Sequence, residues 1–316
     1  MKGLLAHRSP LNQLITLIAI SLFSFFTVAM LGTIVLQAIT GISVDALTDL
    51  SPEKLRQPGM LTFLRGMQLV QFIGLFVLPA WICSRLFSYE PNRFLGFQSP
   101  NLTNFWFWSI LIMIILLPFV QFVGELNQRI AFPGGMKDWM QAQEKSAEQT
   151  VRALLSANTP ADLLLNIVFV AVLAGVGEEL LFRGLIQRLL TRKYGRWMGI
   201  VVAAALFSAM HLQFYGFFPR FILGMVLGIL FAYSGSLWVA ILAHFFYDAM
   251  LITAAYINPD LMNSESIIPL LQMIVPALIS LLLSVWVIRQ MIQRSAEFPP
   301  EEPGFVQEDP NNPFVS

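Results

Sequence analysis

The chain has 316 residues; 56% are hydrophobic, only 12% are charged, and 19 basic side chains cancel 19 acidic ones. A soluble domain is under about half apolar and about 25% charged, so this chain cannot hide its apolar surface in an aqueous core and is expected to lie in a bilayer. Balanced charge leaves no electrostatic footprint for nucleic acid. The single cysteine, Cys83, excludes an internal disulfide framework and a cysteine-based metal site; it lies in an apolar run and reads as buried filler.

Lys2 and Arg8 precede an apolar run from Leu11 to Ile39. The run is too long for a cleaved secretory signal and reads as a retained first span. A bilayer core of about 30 Å needs about 20 apolar residues per helix. Runs of that kind lie at 12–40, 60–88, 103–125, 161–190, 235–255 and 267–292, with a shorter pair at 197–212 and 217–233. The expected fold is therefore all-α and polytopic, with about eight transmembrane helices, the short pair being short or tilted.

Residues 126–160 form a long polar loop. Within it Met136, Trp139, Met140, Ala147, Val151, Leu154 and Leu155 recur at helical spacing. They predict an amphipathic helix, either lying on the outer membrane surface or packed on the spans as a connector. Basic residues gather at the N-terminus, at Arg85 and Arg93, and at Arg188, Arg192, Lys193 and Arg196. By the positive-inside rule these fall on one side, which predicts a multi-pass protein of the cell membrane with both termini cytosolic. The last cluster reads as topogenic, with binding of a ligand or an acidic lipid as the other reading. The tail from Ser295, rich in Pro, Glu and Asp, is expected to be disordered. The division expected is a three-span region (1–125), an extracytoplasmic loop (126–160), a catalytic core (161–255), a last span (256–294) and the acidic tail (295–316).

An ionisable group inside a span costs about 2.5–3.5 kcal/mol on the milder scales and marks function by default. Here such groups are Glu178, Glu179 and Arg183, then His211, then His244 and Asp248. At 1.5 Å per residue, Glu178, His211 and Asp248 lie roughly 15, 21 and 16 Å from the same membrane face. Convergence on one buried site explains that match. Glu179 and Arg183, at i and i+4, share a helix face, whereas Glu178 points about 140° away from Arg183. Glu179–Arg183 therefore reads as a structural ion pair, and Glu178 as the group left for chemistry. His244 and Asp248 share a face by the same spacing.

At these residues the sequence resembles the CPBP family of intramembrane proteases, which includes the Rce1-type CAAX prenyl proteases and the Abi proteins. The three motifs are "EELLFR" (Glu178 to Arg183), "FSAMH" (Phe207 to His211) and "HFFYD" (His244 to Asp248), in the family's order. The resemblance covers about residues 160–255. It implies an all-helical fold and peptide-bond hydrolysis, with Glu178 as general base, His211 helping to hold the water, and His244 and Asp248 stabilising the oxyanion or holding the site together. Where the family has Asn, an amide can donate to an oxyanion; an ionised Asp cannot. Asp248 is therefore protonated or, the preferred role, orients His244.

Two histidines and a carboxylate (His211, His244 and Glu178) match in type a hydrolytic zinc site with an open water position; a metal-free glutamate mechanism is the alternative. The expected partner is a membrane protein or a lipidated, CAAX-like peptide. Two other functions fit intramembrane carboxylates and histidines: a transporter or proton-coupled carrier, and a non-catalytic immunity or scaffold protein.

Overall fold

The computed structural model describes residues 2–45, 57–155, 159–260 and 269–300, and among these, beside a short 3-10 turn at Phe214–Gly216, ten helices make up most of the regular structure. They are α1 (Pro10–Thr40), α2 (Met60–Phe87), α3 (Pro91–Leu95), α4 (Asn104–Gln128), α5 (Gly134–Leu155), α6 (Pro160–Tyr194), α7 (Arg196–Met210), α8 (Phe217–Ser234), α9 (Leu237–Ile257) and α10 (Leu270–Glu297). No strand occurs among the described residues.

Local chemistry fixes where these helices begin and end. Ser9 accepts the Asn12 N–H at 3.3 Å, and Pro10 occupies the first position of α1, where no backbone donor is needed. Thr159 and Pro160 repeat the arrangement for α6, with the Asp162 N–H donating to the threonine hydroxyl at 3.2 Å. Gly235 closes α8 in the left-handed region at φ 69°, its N–H bonded to the Phe231 carbonyl, a conformation that costs residues with a side chain more.

Among the described residues, seven helices are long and apolar enough to cross a membrane: α1, α2, α4, α6, α9, α10, and α8 with its preceding turn (Phe214–Ser234). The eighth expected span, α7, has 15 residues, about 22 Å at helical rise against a core of about 30 Å. It stops short because the chain turns over at His211 and Leu212. Large apolar side chains on α1 and α10 face outward, among them Phe23 (75% exposed) and Leu271 (80%). Outward apolar surface on this scale is what a lipid-facing wall requires, and the chain is a polytopic membrane protein.

The centre of the fold is α6. Leu180, Leu181, Phe182 and Leu185 are buried in a cluster with Phe76, Phe207, Phe231, Leu237 and Ala240. Two single π-helical turns interrupt α6, at Ile167–Val172 and Phe182–Gln187. Gly175 and Gly177, which could loosen this helix ahead of the glutamates, instead let helices approach. The stretch Leu173–Leu181 is regular α-helix. A Cβ on Gly175 would stand 3.1 Å from the backbone nitrogen of Phe245 on α9, and one on Gly177 would stand 2.6 Å from the Phe76 ring on α2. Gly224 of α8 meets Ala204 of α7 in the same way, as small residues allow.

α5 lies within the amphipathic stretch expected from the sequence. Its Ala153 and Leu154 are buried against Met60, Phe63 and Leu64 of α2, and Trp139 packs on Phe214 with ring centroids 5.5 Å apart. Met136 and Val151 remain exposed. The helix is thus packed on the spans along part of its length. The expected disordered tail starts too early at Ser295. Ser295 is buried, its hydroxyl donates to the Tyr233 carbonyl at 2.6 Å, and α10 continues to Glu297. Residues 301–316 lie outside the described residues.

Candidate active site

α6 carries two carboxylates side by side into the core. Glu179 is fully buried. One of its oxygens lies 3.1 Å from Arg183 Nε, one turn on, and the other meets His244 Nδ1 at 2.8 Å. The Arg183 contact is an ion pair without hydrogen-bond alignment, since neither Glu179 Oε2 nor Arg183 Nε has a hydrogen-bond partner. Arg183 donates from Nη2 to the Gly224 carbonyl at 3.1 Å, and its guanidinium stacks 4.8 Å over the Phe207 ring. One arginine thus ties α6 to α7 and α8, and one glutamate ties α6 to α9.

His244 is 7% exposed and has carboxylates on both sides. Nδ1 donates to Glu179, because an ionised carboxylate can only accept. Nε2 then faces Asp248 Oδ2 at 3.4 Å and Glu178 Oε2 at 3.9 Å. The group that fixes the imidazole through Nδ1 is therefore Glu179. Asp248 stands on the Nε2 side, beside Glu178. The Glu178 and Asp248 side chains keep 16% and 24% exposure, against none for Glu179, so the free carboxylates face the accessible side of the cluster.

His211 approaches by another route. It follows the last residue of α7, and its Nδ1 lies 2.9 Å from the Phe207 carbonyl. It makes no ion pair with Glu178 or Asp248. The Phe207 ring links the two imidazoles, with centroids 5.2 Å from His211 and 5.9 Å from His244. Leu212, next in the chain, has φ 55°, the single positive-φ residue other than glycine among the described residues. A leucine in this region is strained, and such strain collects at sites where surrounding contacts over-determine the chain.

Those contacts come from residues that motif reading missed. Asn127 of α4 donates to the Phe214 carbonyl and accepts from the Phe218 N–H, both at 2.8 Å. Arg220 donates to the Gln213 carbonyl at 3.1 Å and contacts the Gln213 side chain. Glu144 of α5 sits against the same turn, beside Arg220 and the Tyr215 backbone. Burial pushes its carboxyl above the usual range, against the pull of Arg220. Nothing in the spacing signals the contacts of Asn127 and Glu144, because they join segments about 70–90 positions apart; Gln213 and Arg220 are seven positions apart within the turn itself.

No group of three or more His, Cys, Asp or Glu among the described residues could hold a metal ion. The set expected for zinc, His211, His244 and Glu178, does not form such a group, the two imidazoles lying on either side of the Phe207 ring with centroids 5.2 and 5.9 Å from it.

Three helices of a polytopic membrane protein thus hold one cluster of carboxylates and histidines. Residues 160–250, which contain all of it, match the family described as Type II CAAX prenyl endopeptidase Rce1-like. This stretch is therefore similar to the family that the three motifs resemble. Among curated proteins, the chain is 30% identical over 89 residues to the uncharacterized protein YpbD of Bacillus subtilis (strain 168). It is 27% identical over 103 residues to an uncharacterized 24.3 kDa protein of Escherichia coli. The two alignments cover 27% and 31% of this chain, and 43% and 48% of those proteins. The chain therefore spans just under half the length of the curated relatives it matches. No solved structure matches it.

Proposed function

We propose that this chain is an intramembrane endopeptidase that hydrolyses a peptide bond of a membrane-associated substrate. A lipidated CAAX-like peptide is the substrate class to which the family description points. The observation that carries the proposal is the pairing of Glu178 Oε2 with His244 Nε2 at 3.9 Å, on the accessible side of a buried cluster. A water hydrogen-bonded to both would stand about 2.8 Å from each, which that separation accommodates.

In this reading Glu178 takes a proton from the water as its oxygen attacks the scissile carbonyl carbon. The protonated Glu178 then gives the proton to the leaving amine as the C–N bond breaks. His244, held through Nδ1 by Glu179 and protonated at Nε2 as well, directs its Nε2–H to the oxyanion side, and the His211 imidazole completes the wall around the water. Asp248 keeps the His244 ring between itself and Glu178. The arginine and lysine distribution supports placing both termini and the basic end of α6 on the cytosolic face of the cell membrane, with the short α7 pairing with α8 to complete an even number of passes.

Two tests separate this mechanism from its neighbours. Asp248→Asn retains the contact to His244 Nε2 and supplies the amide found at this place in the resembling family, so cleavage of a membrane-anchored reporter peptide is expected to stay within about tenfold of wild type. Complete loss would show that the charge of Asp248 takes part. Incubation with a strong chelator is expected to leave turnover unchanged. Loss on chelation, with recovery on adding zinc, would replace the glutamate–water step with metal chemistry.

A further inference from the structure

Arg188, at the beginning of the last α-helical segment of α6, is 7% exposed. Its Nε is buried without a hydrogen-bond partner, and no carboxylate or carbonyl among the described residues pairs with its guanidinium. Other arginines drawn into the fold do better: Arg183 has Glu179, Arg65 has Asp162, and Arg220 has Gln213. What Arg188 has is the Phe231 ring, 4.7 Å away, and close packing on Gly96, where an added Cβ would stand 2.6 Å from Nη2. Gly96 is itself pinned, accepting the Leu237 N–H at 2.8 Å. The guanidinium is thus walled by the ends of α3, α6, α8 and α9.

A buried cation without an anion is an incomplete arrangement. Aromatic contact and the negative end of the α8 dipole ease the burial, but neither supplies acceptors for the guanidinium fork. The surroundings add more positive charge. Arg192 is one turn on; Lys193 and Arg196 follow, with Arg196 stacked 4.8 Å over Tyr233, two residues beyond Phe231. Basic pockets between helix ends at a membrane surface are suited to anionic headgroups, and a guanidinium fork matches a phosphate in two places.

We propose that Arg188 anchors a phosphate-binding site at the basic end of α6, with Arg196 at its rim, which takes the headgroup of an acidic phospholipid. The site is separate from the acid–histidine cluster and does not depend on the chain being a hydrolase. Binding would stabilise the folded state alone, so the unfolding temperature reads it directly.

The test uses the full chain in phosphatidylcholine vesicles with and without phosphatidylglycerol, and in phosphatidylcholine with added inorganic phosphate. Phosphatidylglycerol is expected to raise the unfolding midpoint of the wild type by several degrees. Arg188→Gln loses this shift, whereas Lys193→Gln, which removes the same charge from an exposed position, keeps most of it. Should Arg188→Gln fail to fold, Arg196→Gln at the rim is expected to reduce the shift. A shift reproduced by inorganic phosphate alone keeps the site and identifies the free anion as its ligand. The same phosphatidylglycerol shift in wild type and in Arg188→Gln overturns the proposal, as does the absence of any shift in the wild type.

Discussion

Glu178→Gln is expected to lower the cleavage rate by about 10²–10⁴-fold, the usual worth of a positioned general base, with little change in stability. The substitution keeps size and hydrogen-bonding capacity but removes the group that accepts the proton. Glu178 is not part of the buried ion pair, its side chain keeps 16% exposure, and its nearest ionic neighbour stands at 3.9 Å, so the helices do not depend on its charge. The readout is turnover of a membrane-anchored reporter peptide beside the thermal unfolding midpoint of the same preparation. An unchanged rate would remove Glu178 from the mechanism. A collapsed midpoint would make it a structural residue.

Glu179→Ala is expected to do the opposite: it destabilises first, and activity falls as a consequence. The fully buried Glu179 carboxylate stands between Arg183 at 3.1 Å and His244 at 2.8 Å. Its removal leaves a buried guanidinium unpaired, a change that costs about 3–5 kcal/mol when one partner of a buried pair is lost. Arg183 already carries a buried Nη1 without a partner, so it has no spare acceptor to turn to. The double variant Glu179→Ala/Arg183→Met is expected to be less destabilised than the sum of the single changes, because no orphaned charge remains. It should still be inactive, since the His244 Nδ1 proton has lost its acceptor. Additive losses would mean that the two side chains do not depend on each other.

The parts of this arrangement that lie on one helix were legible in the sequence. Spacing of four residues is enough to put Glu179 beside Arg183 and His244 beside Asp248, because helical geometry is local. Matched depth in the spans pointed to one site. What spacing could not give is the rotation of one helix against another. The contact between Glu179 and His244 depends on how α9 faces α6, and that is set by the close approach at Gly175 and Phe245. This contact adds a partner that spacing did not give: Glu179, from the first motif, meets His244 Nδ1, while Asp248 stands at Nε2. The loop after His211 was illegible for the same reason, its anchors Asn127 and Arg220 being fixed by tertiary packing. Hydropathy pointed to the all-helical membrane fold and to α7 as a short helix, but ended it two residues late, because an apolar run continues through His211 and Leu212 where the backbone turns. Arg188 was read from charge alone as part of a topogenic cluster, and burial cannot be read from charge.

The measurement that tests the central claim most directly is hydrolysis of a membrane-anchored peptide in isotopically heavy water, by the purified chain in lipid vesicles, with the products weighed by mass spectrometry. The account predicts that wild type releases two fragments, that the new carboxyl terminus carries oxygen from the solvent, and that Glu178→Gln under the same conditions releases neither. Equal cleavage by Glu178→Gln, or a folded wild type that cleaves no membrane-anchored peptide offered to it, would contradict the claim that this glutamate drives water onto a peptide bond.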